Sequence, residues 1–210
     1  MYQELLIGCG FARDKRISPY FYFPNLLEEN IANMVADGYD MGKHDRKEWQ
    51  NLTTLDVNPD CNPDVCFDLN DAEGLKLLAK FKEQPMWQFD EIHAYEVVEH
   101  LGRQGDVKSF FAFFNAMHAL LKPGGFFICT CPSRYSPWLW GDPGHTRAIV
   151  PESLSFLVRN AQLYKTLHLG PASDYRSLIT SDFDIAYAND DKKQSFMFML
   201  MAVKPVREWP

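Results

Sequence analysis

Long hydrophobic runs are missing from this chain. Nothing approaches the roughly 18–20 apolar residues that cross a bilayer, so no membrane span is expected. Met1-Tyr2-Gln3-Glu4 brings neither a basic region nor an apolar stretch, which leaves a cleaved leader without support. Basic charge is also short, with 21 Lys and Arg against 28 Asp and Glu for a net of −7. A broad basic face gripping naked nucleic acid is therefore not indicated. The five cysteines are odd in number and none stands as Cys-x-x-Cys, so a disulfide framework is not expected. Reduced thiols in a cytoplasmic compartment are the reading. No P-loop pattern G-x-x-x-x-G-K-[ST] occurs. Repeats, low-complexity tracts and interdomain linkers are absent too, so residues 1–210 read as one domain.

What is present suffices for a packed core. Of 210 residues, 46% are hydrophobic and 14% aromatic, which needs no disulfide or metal to hold a fold together. Short apolar strands alternate with amphipathic helices, the pattern of an α/β domain. Strands are expected at Glu4–Ile7, Leu52–Leu55, Asp64–Phe67, Phe89–Tyr95 and Gly125–Cys131. Unbroken apolarity in the first and last of these predicts burial on both faces, as in a parallel sheet. The clearest helix is Asp106–Leu121, where Val107, Phe110, Phe114, Met117 and Leu121 recur at helical spacing. Lys122-Pro123-Gly124-Gly125 should end it. Helices are also expected over Asn70–Phe81 and Pro151–Asn160. Phe183–Tyr187 and Phe196–Val203, joined by a turn at Asn189-Asp190-Asp191, read as a β-hairpin. The stretch from Asp14 to Gln50 is longer than one crossover helix requires, and is read as an insertion at about 14–50 beside the site.

Gly8-Cys9-Gly10-Phe11-Ala12 follows a buried strand, and glycines there let backbone approach a ligand that a Cβ would push away. A dinucleotide-binding G-x-G-x-x-G loop needs a small residue at position 13, where Arg13 stands, and this disfavours a nicotinamide oxidoreductase. Asp56 ends the second strand, placed either to accept both hydroxyls of a ribose or to cap the turn Val57-Asn58-Pro59-Asp60. Asp68-Leu69 ends the third, either to meet an adenine amino group or to cap the next helix.

Together these segments resemble the class I S-adenosylmethionine-dependent methyltransferases. The resemblance rests on Leu5-Leu6-Ile7-Gly8-Cys9-Gly10, Leu55-Asp56, Phe67-Asp68-Leu69, the run Phe89 to Leu101, and Leu120-Leu121-Lys122-Pro123-Gly124-Gly125, in the family's order over almost the whole chain. Asp64–Asn70 and Trp138–Leu154 are similar to methyltransferase-like proteins often borne by phages, which would place the chain in a host cytoplasm. Two features depart from the family: Ala12 replaces its third glycine, and the first insertion is long. The resemblance implies a three-layer Rossmann-like sheet of seven strands, six parallel and the last inserted antiparallel. It implies S-adenosylmethionine as cofactor, with Gly8, Cys9 and Gly10 near its methionine half and Asp56 and Val57 at the ribose. Asp68 and Leu69 would meet adenine, and the Tyr95-Glu96 backbone would face the sulfonium. The implied activity is methyl transfer to an oxygen or nitrogen of an acceptor the sequence does not identify. A catalytically silent cofactor-binding module of the same fold is the alternative from another class. The Asn/Asp-Pro-Pro-Tyr/Phe signature of amino-directed DNA methyltransferases is replaced by Ala94-Tyr95-Glu96.

Glu96, Glu99 and His100 stand at i, i+3, i+4 and would share one helical face, with His145 following the fifth strand. These four are the candidate catalytic groups. The face resembles the ligand set of metal-dependent RNA 2′-O-methyltransferases, a mixed donor set for Mn²⁺, Fe²⁺ or Mg²⁺. It equally resembles metal-free O-methyltransferases of quinone biosynthesis, and no metal is assigned at this stage. Tyr20 and Tyr22 in the insertion, with Trp138 and Trp140 after the fifth strand, are expected to frame the acceptor. Arg147 or Arg134 would supply positive charge there.

Overall fold

The computed structural model describes residues 1–19, 47–80, 83–84, 87–159 and 173–209. Its strands are β1 Glu4–Ile7, β2 Leu52–Asp56, β3 Val65–Cys66, β4 Phe89–Tyr95, β5 Leu121–Pro132, β6 Phe183–Asp190 and β7 Ser195–Ala202. The helices are α1 Ala72–Lys80, α2 Val107–Leu120, α3 Trp138–Gly141 and α4 Pro151–Leu154. The seven strands form one sheet in the order β3-β2-β1-β4-β5-β7-β6. Neighbours pair in parallel from β3 to β5, while β7 runs antiparallel between β5 and β6. The expected architecture, six parallel strands and one inserted antiparallel, is the one observed.

Three boundaries moved for identifiable reasons. The segment Lys122-Pro123-Gly124-Gly125 is already strand, because α2 ends in the extended residue Leu121 and the chain then lies against β4. A Cβ on Gly125 would stand 3.0 Å from the carbonyls of Phe89 and Asp90, so only glycine permits this approach. The hairpin turn falls at residues 191–194, where Asp191 Oδ1 accepts from the amides of Lys193, Gln194 and Ser195. Instead of a helix over Pro151–Asn160, α4 makes one turn and passes into a 3-10 turn at Ser155–Leu157. The 14–50 insertion is described only at its ends, so Tyr20 and Tyr22 lie outside the described residues.

The sheet is buried on both faces by different means. On one side Leu5, Ile7, Ile92 and Phe127 pack against Leu75 and Leu78 of α1 and Phe114 and Met117 of α2. On the other, Leu6, Phe126, Ile128 and Met199 are joined by Ile17, Cys61 and Trp49. That second face also holds a polar network with no counterpart in the sequence reading. Glu4, Glu91 and His93 are all fully buried. Lys15 lies between the two carboxylates, 2.9 Å from Glu91 Oε2 and ion-paired to Glu4. His93 Nε2 meets Glu91 Oε2 at 2.8 Å, and its Nδ1 meets the Tyr95 hydroxyl at 2.7 Å. Gln50 donates its amide to Glu4, and Ile17 donates its amide to the Tyr95 hydroxyl. Both described ends of the insertion are thus tied to β1 and β4 through buried charge.

Removing one member of a buried ion network leaves the others uncompensated, at a cost of about 3–5 kcal/mol. Lys15→Met should lose about that much in urea unfolding at pH 8. Burial and Glu91 push the Glu4 carboxyl up to about 7 even with lysine beside it. Without that lysine it rises further, so the folded variant holds a proton that the unfolded chain releases near its ordinary value. Its stability therefore falls as pH rises, and the deficit against wild type should be smaller at pH 5 than at pH 8.

Candidate functional site

A cleft of about 230 Å³ opens where β1, β2 and β4 end, the edge at which a parallel sheet presents its loops. Gly8 forms its floor with φ +64° and donates its amide to Leu55 O at 2.8 Å. A Cβ here would stand 2.4 Å from Val97 Cγ2, so glycine is required both by φ and by the chain leaving β4. Gly10, φ +51°, has open space where a Cβ would be, and donates its amide to Asp56 Oδ2 at 2.9 Å. Asp56 Oδ1 accepts from Asn58 N at 2.9 Å, so one carboxylate shapes both turns and still lines the cleft. Arg13 reaches across to the carbonyls of Cys61 and Asn62 at 2.8 and 2.6 Å.

Val57, Asp68, Leu69 and Glu96 also line the cleft. Asp68 is free of the capping duty considered for it, since Asp71 Oδ1 takes the first-turn amide of Glu73 in α1. Asp68 Oδ1 instead closes a local turn with Asn70 N at 2.8 Å. Glu96 sits in the left-handed region at φ +57°, a strained position for a non-glycine residue. Sequence reasoning missed Val97, Asn70 and Leu101 as wall residues. The Cys9 side chain points away from the cleft, buried in the second-face core with Sγ 4.0 Å from Cys61 Sγ. The Tyr95 side chain is turned to the same face by its bond to His93, which leaves only its backbone on the cleft side of β4.

The acidic–histidine group comes together, though not on one helical face. After β4 the chain makes only a 3-10 turn, Val98–His100, which Glu96 precedes. Glu99 is fully buried and neither carboxylate oxygen has a hydrogen-bond partner among the described residues. Burial pushes its carboxyl up to about 8, and the carboxylates of Glu96 and Asp142 push the same way. His145 Nε2 lies 3.9 Å from Glu99 Oε1 and 3.9 Å from Asp142 Oδ2, while its Nδ1 is buried without a partner. His100 lines the cleft, stacks edge-on to His145 at 4.6 Å, and places Nδ1 3.0 Å from Gly144 O.

Arg147 is what holds this loop, and that displaces it from the acceptor role. Its guanidinium donates to the carbonyls of Leu101, Arg103 and Asp106 at 3.1, 2.8 and 2.6 Å, and it is buried over Phe110. Three of its five N–H groups are committed to backbone carbonyls, and it does not line the cleft. Arg134 is likewise ion-paired, with Glu152 and with Asp190. Trp138 and Trp140 flank the buried Leu139 on α3, each 62% exposed, and neither lines the cleft.

No family model matches the sequence, and no curated protein matches it. Among solved structures, an S-adenosylmethionine-dependent methyltransferase from Clostridium acetobutylicum is 13% identical, the match covering 97% of this chain and 85% of that one with a TM-score of 0.49. Another from Archaeoglobus fulgidus is 15% identical over 95% of this chain and 86% of that one, TM-score 0.46. The N-methyltransferase NodS from Bradyrhizobium japonicum, bound to S-adenosyl-L-homocysteine, is 14% identical over 96% of this chain and 78% of that one, TM-score 0.43. None of these bears on a phage origin. Among the described residues no helix is long and apolar enough to cross a membrane.

The cleft floor gives a direct test. Gly8→Ala combines a left-handed φ with the Val97 clash and should destabilise the fold by about 1–3 kcal/mol in thermal unfolding. Adding Val97→Ala should recover only the clash, leaving the φ strain of about 1 kcal/mol.

Proposed function

We propose that the chain is an S-adenosylmethionine-dependent methyltransferase acting on an oxygen or nitrogen of its acceptor. The observation that carries this reading is the pairing of Asp56 with the Gly10 amide at the mouth of a glycine-floored cleft. A carboxylate so held has lone pairs left for the two free hydroxyls of a ribose, since each ionised oxygen accepts more than one donor. Asp68 and Leu69 stand on the neighbouring wall, a carboxylate for an exocyclic amino group beside an apolar surface for a purine. Among the described residues, three acidic side chains and no lysine or arginine line the cleft, which suits a cationic sulfonium better than a phosphate.

When bound, the cofactor supplies an activated methyl group. The protein's part is to hold the two reactants in line and, for a hydroxyl or protonated amine, to take up a proton. His100 at the cleft wall and His145 against it are the proposed groups for that proton, with Glu99 behind them and Glu96 at the rim. Trp138 and Trp140, on the loop that leads to His145, and Tyr20 and Tyr22 of the insertion are proposed to meet the acceptor.

Calorimetry should find S-adenosylmethionine and S-adenosyl-L-homocysteine bound with micromolar affinity, about −8 kcal/mol. Asp56→Ala should weaken this by about 1.5–3 kcal/mol, the range for hydrogen bonds to a charged acceptor. Binding of NADH with no binding of either methionine derivative would overturn the reading. Cofactor binding with no transfer of labelled methyl to nucleic acid, glycan, protein or metabolite fractions would make the chain a silent binding module.

A further inference from the structure

All five cysteines are free thiols, and two of them meet. Cys9 Sγ stands 4.0 Å from Cys61 Sγ although 52 positions separate them in the chain. Cys129 and Cys131 are fully buried inside β5, while Cys66 is exposed, with Sγ 3.6 Å from Val57 O.

We infer that Cys9 and Cys61 are a redox-sensitive pair, which a peroxide or a low-molecular-weight disulfide joins into a disulfide that disturbs the turn beneath the cleft. Three observations carry it. The Cys61 thiol donates to Asn58 O at 3.0 Å, which commits its one hydrogen and makes Cys9 the donor in the sulfur–sulfur contact. The two sulfurs thus face each other, and reaching the roughly 2.05 Å of a disulfide asks for about 2 Å of movement shared between two turns. Second, each cysteine is the buried member of an exposed turn, with Gly8 and Phe11 exposed around Cys9, and Pro59, Asp60 and Asn62 around Cys61. Opening of one surface turn, rather than of the sheet, presents a sulfur to a small oxidant. Third, Asp56 links the same two turns, accepting the Gly10 amide at Oδ2 and the Asn58 amide at Oδ1. Gly10 follows Cys9 directly and Asn58 is the residue that Cys61 bonds, so drawing the sulfurs together displaces both amides that hold the carboxylate of the cleft. Arg13 brings its own positive charge to the Cys61 carbonyl at 2.8 Å, which suits the pair to joining rather than to holding a cation.

With hydrogen peroxide, one thiolate attacks a peroxide oxygen and the O–O bond breaks. A sulfenic acid forms, and the departing hydroxide takes up the thiol's proton as water. The second sulfur attacks the sulfenic sulfur, the S–O bond breaks, and a second water leaves with the other thiol's proton. Two electrons pass from the two thiols to the peroxide. With a small disulfide, two successive exchanges release two small thiols instead. Burial, then Cys61 itself and the Asp56 charge, push the Cys9 thiol up to about 11, so joining should be faster at pH 9 than at pH 7. Resting on the methyltransferase reading, the reduced chain holds the cofactor and the oxidised chain holds it less well.

The full chain carrying Cys66→Ser, which removes the exposed thiol, should be reduced and then treated with hydrogen peroxide or with oxidised glutathione. Non-reducing peptide mapping by mass spectrometry should find the Cys9 and Cys61 peptides joined with the loss of two hydrogens, and dithiothreitol should separate them. Cys9→Ser and Cys61→Ser should each abolish the link, with circular dichroism reporting their fold; where one fails to fold, the mapping on the Cys66→Ser protein decides. Calorimetry should show S-adenosyl-L-homocysteine bound about 10-fold more weakly by the oxidised chain, as for one misaligned hydrogen bond to a charged acceptor, and dithiothreitol should restore it. Absence of the joined peptides even at pH 9, or a link that leaves the affinity unchanged, would overturn the proposal. A reversible link in a chain that binds no methionine derivative even when reduced would leave the redox pair standing and overturn the methyltransferase reading instead.

Discussion

Strand β1 is four residues long, paired in parallel on both sides and buried on both faces, and the rest of the molecule is arranged around that constraint. A strand so enclosed can deliver its carboxyl end to one place only, between the ends of β2 and β4. The turn that follows must leave without colliding with either neighbour. Val97 closes one side of it at Gly8, and Leu55 O takes its amide on the other. Asp56 then fixes the second glycine. The cleft is the gap that these contacts leave open.

Covering β1 costs more on one face than on the other. Leucines and phenylalanines of α1 and α2 cover the first face by apolar burial alone. The second is covered by short segments that bring Lys15 and Trp49 onto Glu4, Glu91 and His93. Replacing a well-paired buried ion network with apolar groups is often neutral or stabilising, so its presence here is not explained by stability. What apolar packing would not do is fix where the segment enters and leaves the sheet. An ammonium between two carboxylates has one position; a methionine in their place would have several.

Most strand positions were legible because parallel pairing demands continuous apolar runs, and Leu5-Leu6-Ile7 and Phe126–Cys129 supply them; the inserted antiparallel strand was implied only by the resemblance. The glycine turn, Asp56 and Asp68 were legible because each stands at a strand end, where position follows from the strand alone. The ion network was not, since Glu91 and His93 alternate with Asp90 and Ile92 in a way that reads as a half-exposed strand. Arg147 was misread for a related reason. A sequence shows that a guanidinium is present but not that three carbonyls of a preceding loop converge on it. Glu96, Glu99 and His100 were picked out on helical spacing that did not form, and His145 by its place after the fifth strand; a 3-10 turn and a loop bound to Glu99 O bring Glu99 and His145 near instead.

The electrostatics of the cleft edge tie these features together. Asp56, Asp68 and Glu96 line it, Glu99 lies directly behind it, and the nearby arginines are spent on carbonyls or carboxylates. On the proposed methyltransferase reading, such an edge would attract a sulfonium and repel an electron-rich acceptor, although methyl transfer would need both at one point. A proton on Glu99 relieves part of the conflict by making that group neutral.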